Sequence, residues 1–216
     1  VVLAHIAFWD RMALARWLFE RVAASLDAEA RHAGRDITLR SEGLSVEIDR
    51  ALAERLVDPM IQIARNAVIH GIEDPDSRAR QGKPLGGTVT LSARMHGGDV
   101  VLAIADDGRG IDVEGVRRRG VELGLLSPRE AASAPPERVL EAIFLPGFTT
   151  RPEADEHAGR GIGLDVVRRE VERFGGRVRV GSTHREGTRF EVTFHARVFV
   201  LWALLRWLRR GDRGSL

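Results

Sequence analysis

Gln62-Ile63-Ala64-Arg65-Asn66-Ala67-Val68-Ile69-His70-Gly71 is the stretch on which the reading of this chain turns. Just before Met60, Asp58-Pro59 supplies an N-cap followed by proline at the first helical position, so a fresh helix is expected to start there and run to residue 70. Gln62 and Asn66 are four apart and share one face of that helix. Asparagine is a poor residue for a helix interior, so Asn66 needs a reason to be there. It is either a buried, hydrogen-bonded core amide or a hard oxygen ligand for a cation such as Mg²⁺ bridging phosphates. His70, one turn on, suits a phosphate contact and the capping of the helix end equally.

Three further motifs follow in order. Asp106-Asp107-Gly108-Arg109-Gly110 comes after a predicted hairpin over 86–105, in which Val89, Leu91 and Ala93 alternate with polar residues and His96-Gly97-Gly98-Asp99 makes the turn. A carboxylate at Asp106 can accept the amino hydrogen of adenine, and Gly108 and Gly110 permit a sharp turn and close approach of a purine. Taken alone, the motif is equally an ordinary Asp-Gly turn. Gly159-Arg160-Gly161-Ile162-Gly163 stands before a helix predicted over 164–174, where backbone N–H groups can meet phosphate oxygens at the positive end of the helix dipole; the bland alternative is a flexible loop. Gly187-Thr188-Arg189-Phe190 opens the last strand, and the Thr188 hydroxyl can reach adenine through water, or the dipeptide is a plain turn. Each motif is weak by itself. Their order and local context make ATP binding the leading reading.

The rest of the chain fits around these blocks. Residues 5–32 read as one amphipathic helix, with Phe8, Met12, Ala15, Leu18, Phe19, Val22 and Leu26 at helical spacing and Ala33-Gly34 as the stop. Short strands are expected over 37–40 and 44–48, and two alternating strands over 177–181 and 188–194 close the sheet. Residues 111–158 are irregular, with short helices over 113–123 and 136–144, as in a lid or functional loop. Helices alternate with hairpins rather than single strands. This implies an α/β sandwich, with helices on one face of a mixed, mostly antiparallel sheet, and argues against a Rossmann fold.

The 216 residues, 44% hydrophobic and 30% charged, suit a globular protein, and a formal net charge of +2 without a block of like charge argues against a nucleic-acid arm. Absence of cysteine excludes disulfides, cysteine-based zinc sites and thiol chemistry. No apolar run reaches the ~18–20 residues that span a bilayer, and the first residues lack a basic leader and a cleavage site, so a cytoplasmic location is expected. The single lysine lies in Gly82-Lys83-Pro84, where the proline rules out a P-loop.

Taken together, the blocks resemble the N, G1, G2 and G3 boxes of the GHKL ATP-binding superfamily. More narrowly, the chain is similar to the catalytic domain of chemotaxis-type (CheA-type) histidine kinases. His70-Gly71-Ile72-Glu73-Asp74-Pro75, then Arg78 and Gly82-Lys83-Pro84, follow that family's segment after the N box, and Phe144-Leu145-Pro146-Gly147-Phe148-Thr149-Thr150 looks like its lid motif. The resemblance implies a two-layer α/β sandwich of the Bergerat type binding ATP and Mg²⁺ under a mobile lid, with transfer of the γ-phosphoryl to a histidine on a separate phosphoacceptor domain. It implies Asn66 as the metal-binding asparagine and Asp106 as the adenine-binding aspartate. Gly108, Gly110, Gly159, Gly161 and Gly163 become nucleotide-loop glycines, with Leu164 and Thr188 beside them, and Gln62, Asn66 and His70 the catalytic set. A response regulator and a receptor or coupling protein are the implied partners, and the full-length protein is implied to be a dimer.

The division expected is 1–33 as a helical arm, read as the exit of a dimerisation or linker helix, 34–195 as the ATP-binding domain and 196–216 as an apolar and basic tail. The tail is too short to span a membrane; it suits packing on the domain or on a partner better than an interfacial helix. Two departures from the family stand out. Gln62 replaces the usual histidine or glutamate and cannot act as a general base at neutral pH. Ile69 replaces a residue that is commonly acidic, removing a polar contact near the metal. These motivate an alternative function, a nucleotide-binding regulatory module with little kinase activity. A gyrase- or chaperone-like ATPase clamp needs a glutamate to activate water, and Gln62 is not one.

Overall fold

The computed structural model describes residues 12–148 and 163–195. Its centre is a five-stranded sheet: β2 (Ile37–Glu42), β4 (Gly87–His96), β5 (Asp99–Asp106), β6 (Gly176–Thr183) and β7 (Gly187–His195), in the order β2-β4-β5-β7-β6. β2 pairs in parallel with β4 and every other pairing is antiparallel, which is the mixed sheet expected. The β4–β5 hairpin turns on Gly97 and Gly98, whose φ of 58° and 85° explain two consecutive glycines there. One sheet face carries Val89, Leu91, Val100, Leu102, Ile104, Phe190, Val192 and Phe194 into the core.

Two long helices cover that face. α1 (Ala15–His32) buries Ala15, Leu18, Phe19, Val22, Leu26 and Ala30, a stripe at helical spacing that packs against α2 (Arg50–Asn66). α1 starts later than the periodicity predicts. Met12–Leu14 form a strand, β1, paired antiparallel with β3 (Glu47–Asp49), while residues 5–11 of the predicted helix lie outside the described residues. The cause is local hydrogen bonding. Leu14 offers no side-chain cap, and the first free N–H groups of α1 instead donate to the Val46 and Leu44 carbonyls, at 2.8 and 3.2 Å, beside the β1–β3 ribbon. The segment 44–48 therefore joins this two-stranded ribbon and not the main sheet.

Pro59 does not start a new helix. α2 is continuous from an Asp49 cap, whose Oδ1 accepts from Leu52 N at 3.0 Å, and Pro59 sits inside it. A proline in a helix interior costs about 3 kcal/mol. Leu52, Leu56, Met60 and Ile63, all buried, each return about 1.5–3 kcal/mol against the sheet and α1, so packing outweighs the break. The helix also ends early. Residues 67–71 form a π turn, closed by Ile72 N donating to Ala67 O at 2.8 Å, in place of the last helical turn expected.

α3 (Pro75–Arg80) follows the π turn. Between β5 and the next long helix lie α4 (Val113–Glu122), α5 (Pro128–Ser133), α6 (Pro136–Leu140) and a 3₁₀ turn (Glu141–Phe144). α5 was not expected, though Ser127 and Glu130 form a full capping box readable in the sequence. α7 (Leu164–Arg173) buries Val167 and Val171 and packs beside α2. No helix among the described residues is long and apolar enough to cross a membrane.

Candidate functional site

A cavity of about 450 Å³ opens between α2, the end of β5, the start of α7 and the loop into α4. Gln62, Asn66, His70, Asp106, Gly110, Gly163, Leu164 and Thr188 all line it. Residues as far apart in sequence as Gln62 and Thr188 are thus brought to one wall, as the order of motifs requires. Gly159 and Gly161, and the end of the lid motif at Thr149-Thr150, lie outside the described residues. Gly108 sits behind the cavity rather than on its surface, and Ile69 does not line it.

The π turn explains the placing of Asn66. It ends the regular helix at Asn66 and swings Gly71 across to the turn after β5, where Gly71 O accepts the backbone N–H of Arg109 at 2.9 Å. Among the described residues, neither the Asn66 nor the Gln62 side chain has a hydrogen-bond partner. The core-amide alternative for Asn66 fails on that point, because a core amide is expected to be paired. A neutral oxygen facing the cavity is left over, which suits a hard cation sharing its other ligands with phosphates and water.

Asp106 ends β5 at the cavity floor. Burial, opposed by hydrogen bonds from the backbone of Gly108 and Thr188, pushes its carboxyl up to about 6; neighbouring Asp107 and Glu73 add to the rise. Its Oδ1 accepts from Gly108 N at 2.9 Å. Glycines crowd it for steric reasons. A Cβ at Gly108 would stand 2.2 Å from Gly71 O, and one at Gly187, which has φ of 126°, would stand 1.8 Å from Asp106 O. Thr188 is buried, and its hydroxyl lies 3.3 Å from Ser182 Oγ, which accepts from Ile111 N at 2.8 Å. The loop carrying Gly110 is thereby tied to the last two strands.

Ile111, Val116 and Ile143, which the sequence reading did not single out, also line the wall, together with Phe148 of the lid motif and Phe190 of the last motif, neither of which it assigned to the site. Arg109 was also missed; its Nε donates to His70 O at 2.7 Å, bracing the π turn. The apolar wall suits a flat heterocycle, and the polar end at Gln62, Asn66, His70 and the Gly163 end of α7 suits an anionic group with its counter-ion.

The sequence profile described as histidine kinase-, DNA gyrase B-, and HSP90-like ATPase matches residues 55–198, two thirds of the chain, and the chain belongs to that family. It is 40% identical over 187 residues to the chemotaxis protein CheA of Treponema pallidum, covering 87% of this chain and 22% of that protein. Similarity to CheA of Halobacterium salinarum is 41% over 175 residues, covering 81% and 26%. The chain thus spans about a quarter of the length of the curated relatives it matches. Among solved structures, the catalytic domain of histidine kinase ThkA superposes with a TM-score of 0.55 at 17% identity, covering 86% of this chain and 94% of that one, so the fold is shared. The chain is a CheA-like GHKL ATPase domain.

Proposed function

We propose that this chain is the ATP-binding catalytic domain of a chemotaxis-type sensor histidine kinase, transferring the γ-phosphoryl of Mg-ATP to a histidine on a separate phosphoacceptor domain. One observation carries the reading: the Asp106 carboxylate and the Asn66 amide, unpaired among the described residues, line the same cavity across an apolar wall. Asp106 accepts the adenine amino hydrogen. The purine lies against Ile111, Ile143 and Phe190, and the triphosphate runs toward Asn66, His70 and the Gly163–Leu164 start of α7. Asn66 would hold Mg²⁺ through its oxygen, and the ion would supply charge that offsets the phosphates. The acceptor imidazole nitrogen attacks the γ-phosphorus, the bond to the bridging oxygen breaks, and ADP leaves with that electron pair.

In this reading the catalytic domain begins before the expected boundary at residue 34, because Ala15–His32 is buried in its core and Met12–Leu14 pairs with Glu47–Asp49; the rest of the expected arm, 1–11, and the tail, 196–216, lie outside the described residues. The full-length protein is a cytoplasmic dimer working with a response regulator and a receptor or coupling protein. A second reading, a nucleotide-binding module with little transfer activity, is favoured by Gln62, which lines the cavity where a proton acceptor is expected. The test is to incubate the chain with γ-labelled ATP, Mg²⁺ and a phosphoacceptor domain. Acid-labile, base-stable label on that domain supports the kinase; nucleotide binding without transfer supports the second reading.

A further inference from the structure

We infer that Lys83, backed by Arg78, is a positioning residue for Asp106, acting through the peptide that joins Asp107 to Gly108. The inference rests on the proposed adenine role of Asp106. Lys83 is the single lysine among 33 basic residues. Its Nζ donates to Asp107 O at 2.9 Å, to Gly108 O at 2.7 Å and to Glu73 Oε1 at 2.9 Å. An ammonium has three N–H donors, and these three oxygens use all of them.

Arg78 is fully buried and reaches the same turn. It donates to Glu73 Oε2 at 3.1 Å, to Asp107 O at 3.3 Å, to Asp107 Oδ2 at 3.1 Å and to Pro84 O at 2.6 Å. Two cations therefore converge on one carbonyl oxygen, that of Asp107. The N–H at the other end of the same peptide unit belongs to Gly108, and it donates to Asp106 Oδ1 at 2.9 Å. A peptide unit is planar, so fixing its oxygen fixes the direction of its N–H. That direction fixes one of the two backbone donors, Gly108 and Thr188, that orient the Asp106 carboxylate. Charge on the oxygen side also polarises the peptide and strengthens the N–H as a donor. Arginine cannot replace Lys83 here: its planar fork does not converge on three oxygens from separate groups as a tetrahedral ammonium does.

The test compares ATP with purine riboside triphosphate, which lacks only the amino group that Asp106 reads. Affinities are measured by titration calorimetry for the native chain, for Lys83→Met, for Lys83→Arg, and for Glu73→Gln/Lys83→Met, which keeps the buried cluster neutral. The inference expects ATP to bind about tenfold more weakly to all three variants, with purine riboside triphosphate within about twofold of native. Equal weakening of both nucleotides means a merely structural role and overturns it. So does native ATP affinity in the folded double variant or in Lys83→Arg. If the variants do not fold, the native chain answers by nuclear magnetic resonance, because one lysine gives one ammonium signal. That signal should move on ATP binding more than on binding of the analogue, and equal movement overturns the inference. A native chain that binds both nucleotides equally sinks the adenine role of Asp106, and this inference with it.

Discussion

The Gly71 α-carbon faces the carboxylate of Asp106 so closely that an added methyl would stand 2.9 Å from Oδ1, 3.0 Å from Cγ and 3.2 Å from Oδ2. The π turn and the end of β5 are thus fitted to each other around the proposed adenine acceptor. Because the obstructing atoms end a side chain, Gly71→Ala leaves the fold intact and displaces the carboxylate. ATP affinity should fall about tenfold, with little change in melting temperature. Native affinity in this variant, read by calorimetry, would show that the purine does not depend on the position of Asp106.

Asp106 also predicts a pH dependence. Its carboxyl titrates near 6 in the folded chain, against 3.8 when unperturbed, because burial disfavours the charged form. Between those values the folded chain holds a proton that the unfolded chain has lost, so stability falls as pH rises through the window. Asp106→Asn removes that slope and should stabilise the nucleotide-free chain at pH 7 by about 1–3 kcal/mol, seen as a raised melting temperature, while ATP binding is largely lost. In the native chain the preference for ATP over purine riboside triphosphate should grow with pH through about 6; the analogue cancels titration of the phosphates. A preference flat across that range would remove the carboxylate from base recognition.

How far the sequence foretold this site depended on the kind of residue. Asp106, Asn66, Gly110 and Gly163 are legible because a polar or flexible residue in a predicted helix or strand end asks for a reason. Ile111 and Ile143 are not, since an apolar residue reads as core whether it meets protein or a cavity. The β4–β5 hairpin was legible from strict alternation ending in Gly97-Gly98. Pro59 misled, because local chemistry signalled a helix start while a continuous buried face held one helix together. β1 was hidden by the same helical period that predicts α1, and only pairing with β3 reveals it.

Asn66 tests the metal. Its amide lines the cavity at the end of α2 without a hydrogen-bond partner among the described residues. Asn66→Asp keeps the shape and adds charge, so it should shift the Mg²⁺ dependence of ATP binding, while binding measured with chelator present changes less. Equal loss with and without Mg²⁺ would assign Asn66 to the nucleotide itself. A stability change beyond about 1 kcal/mol would instead mark a structural role.

Gln62 decides between the two readings of activity. It shares the cavity with Asn66 one turn away, and its amide can hold a hydrogen bond but cannot take a proton. Positioned acid–base groups contribute about 10²–10⁴-fold to rate. Gln62→His should therefore leave ATP affinity within about twofold of native and raise phosphoryl transfer to a phosphoacceptor domain by at least about tenfold, measured as acid-labile label per minute. If native transfer is already fast and the histidine does not improve it, positioning and charge stabilisation suffice and the low-activity reading fails. If native transfer is undetectable and the histidine restores it, the chain is a nucleotide-binding module separated from a working kinase by one side chain.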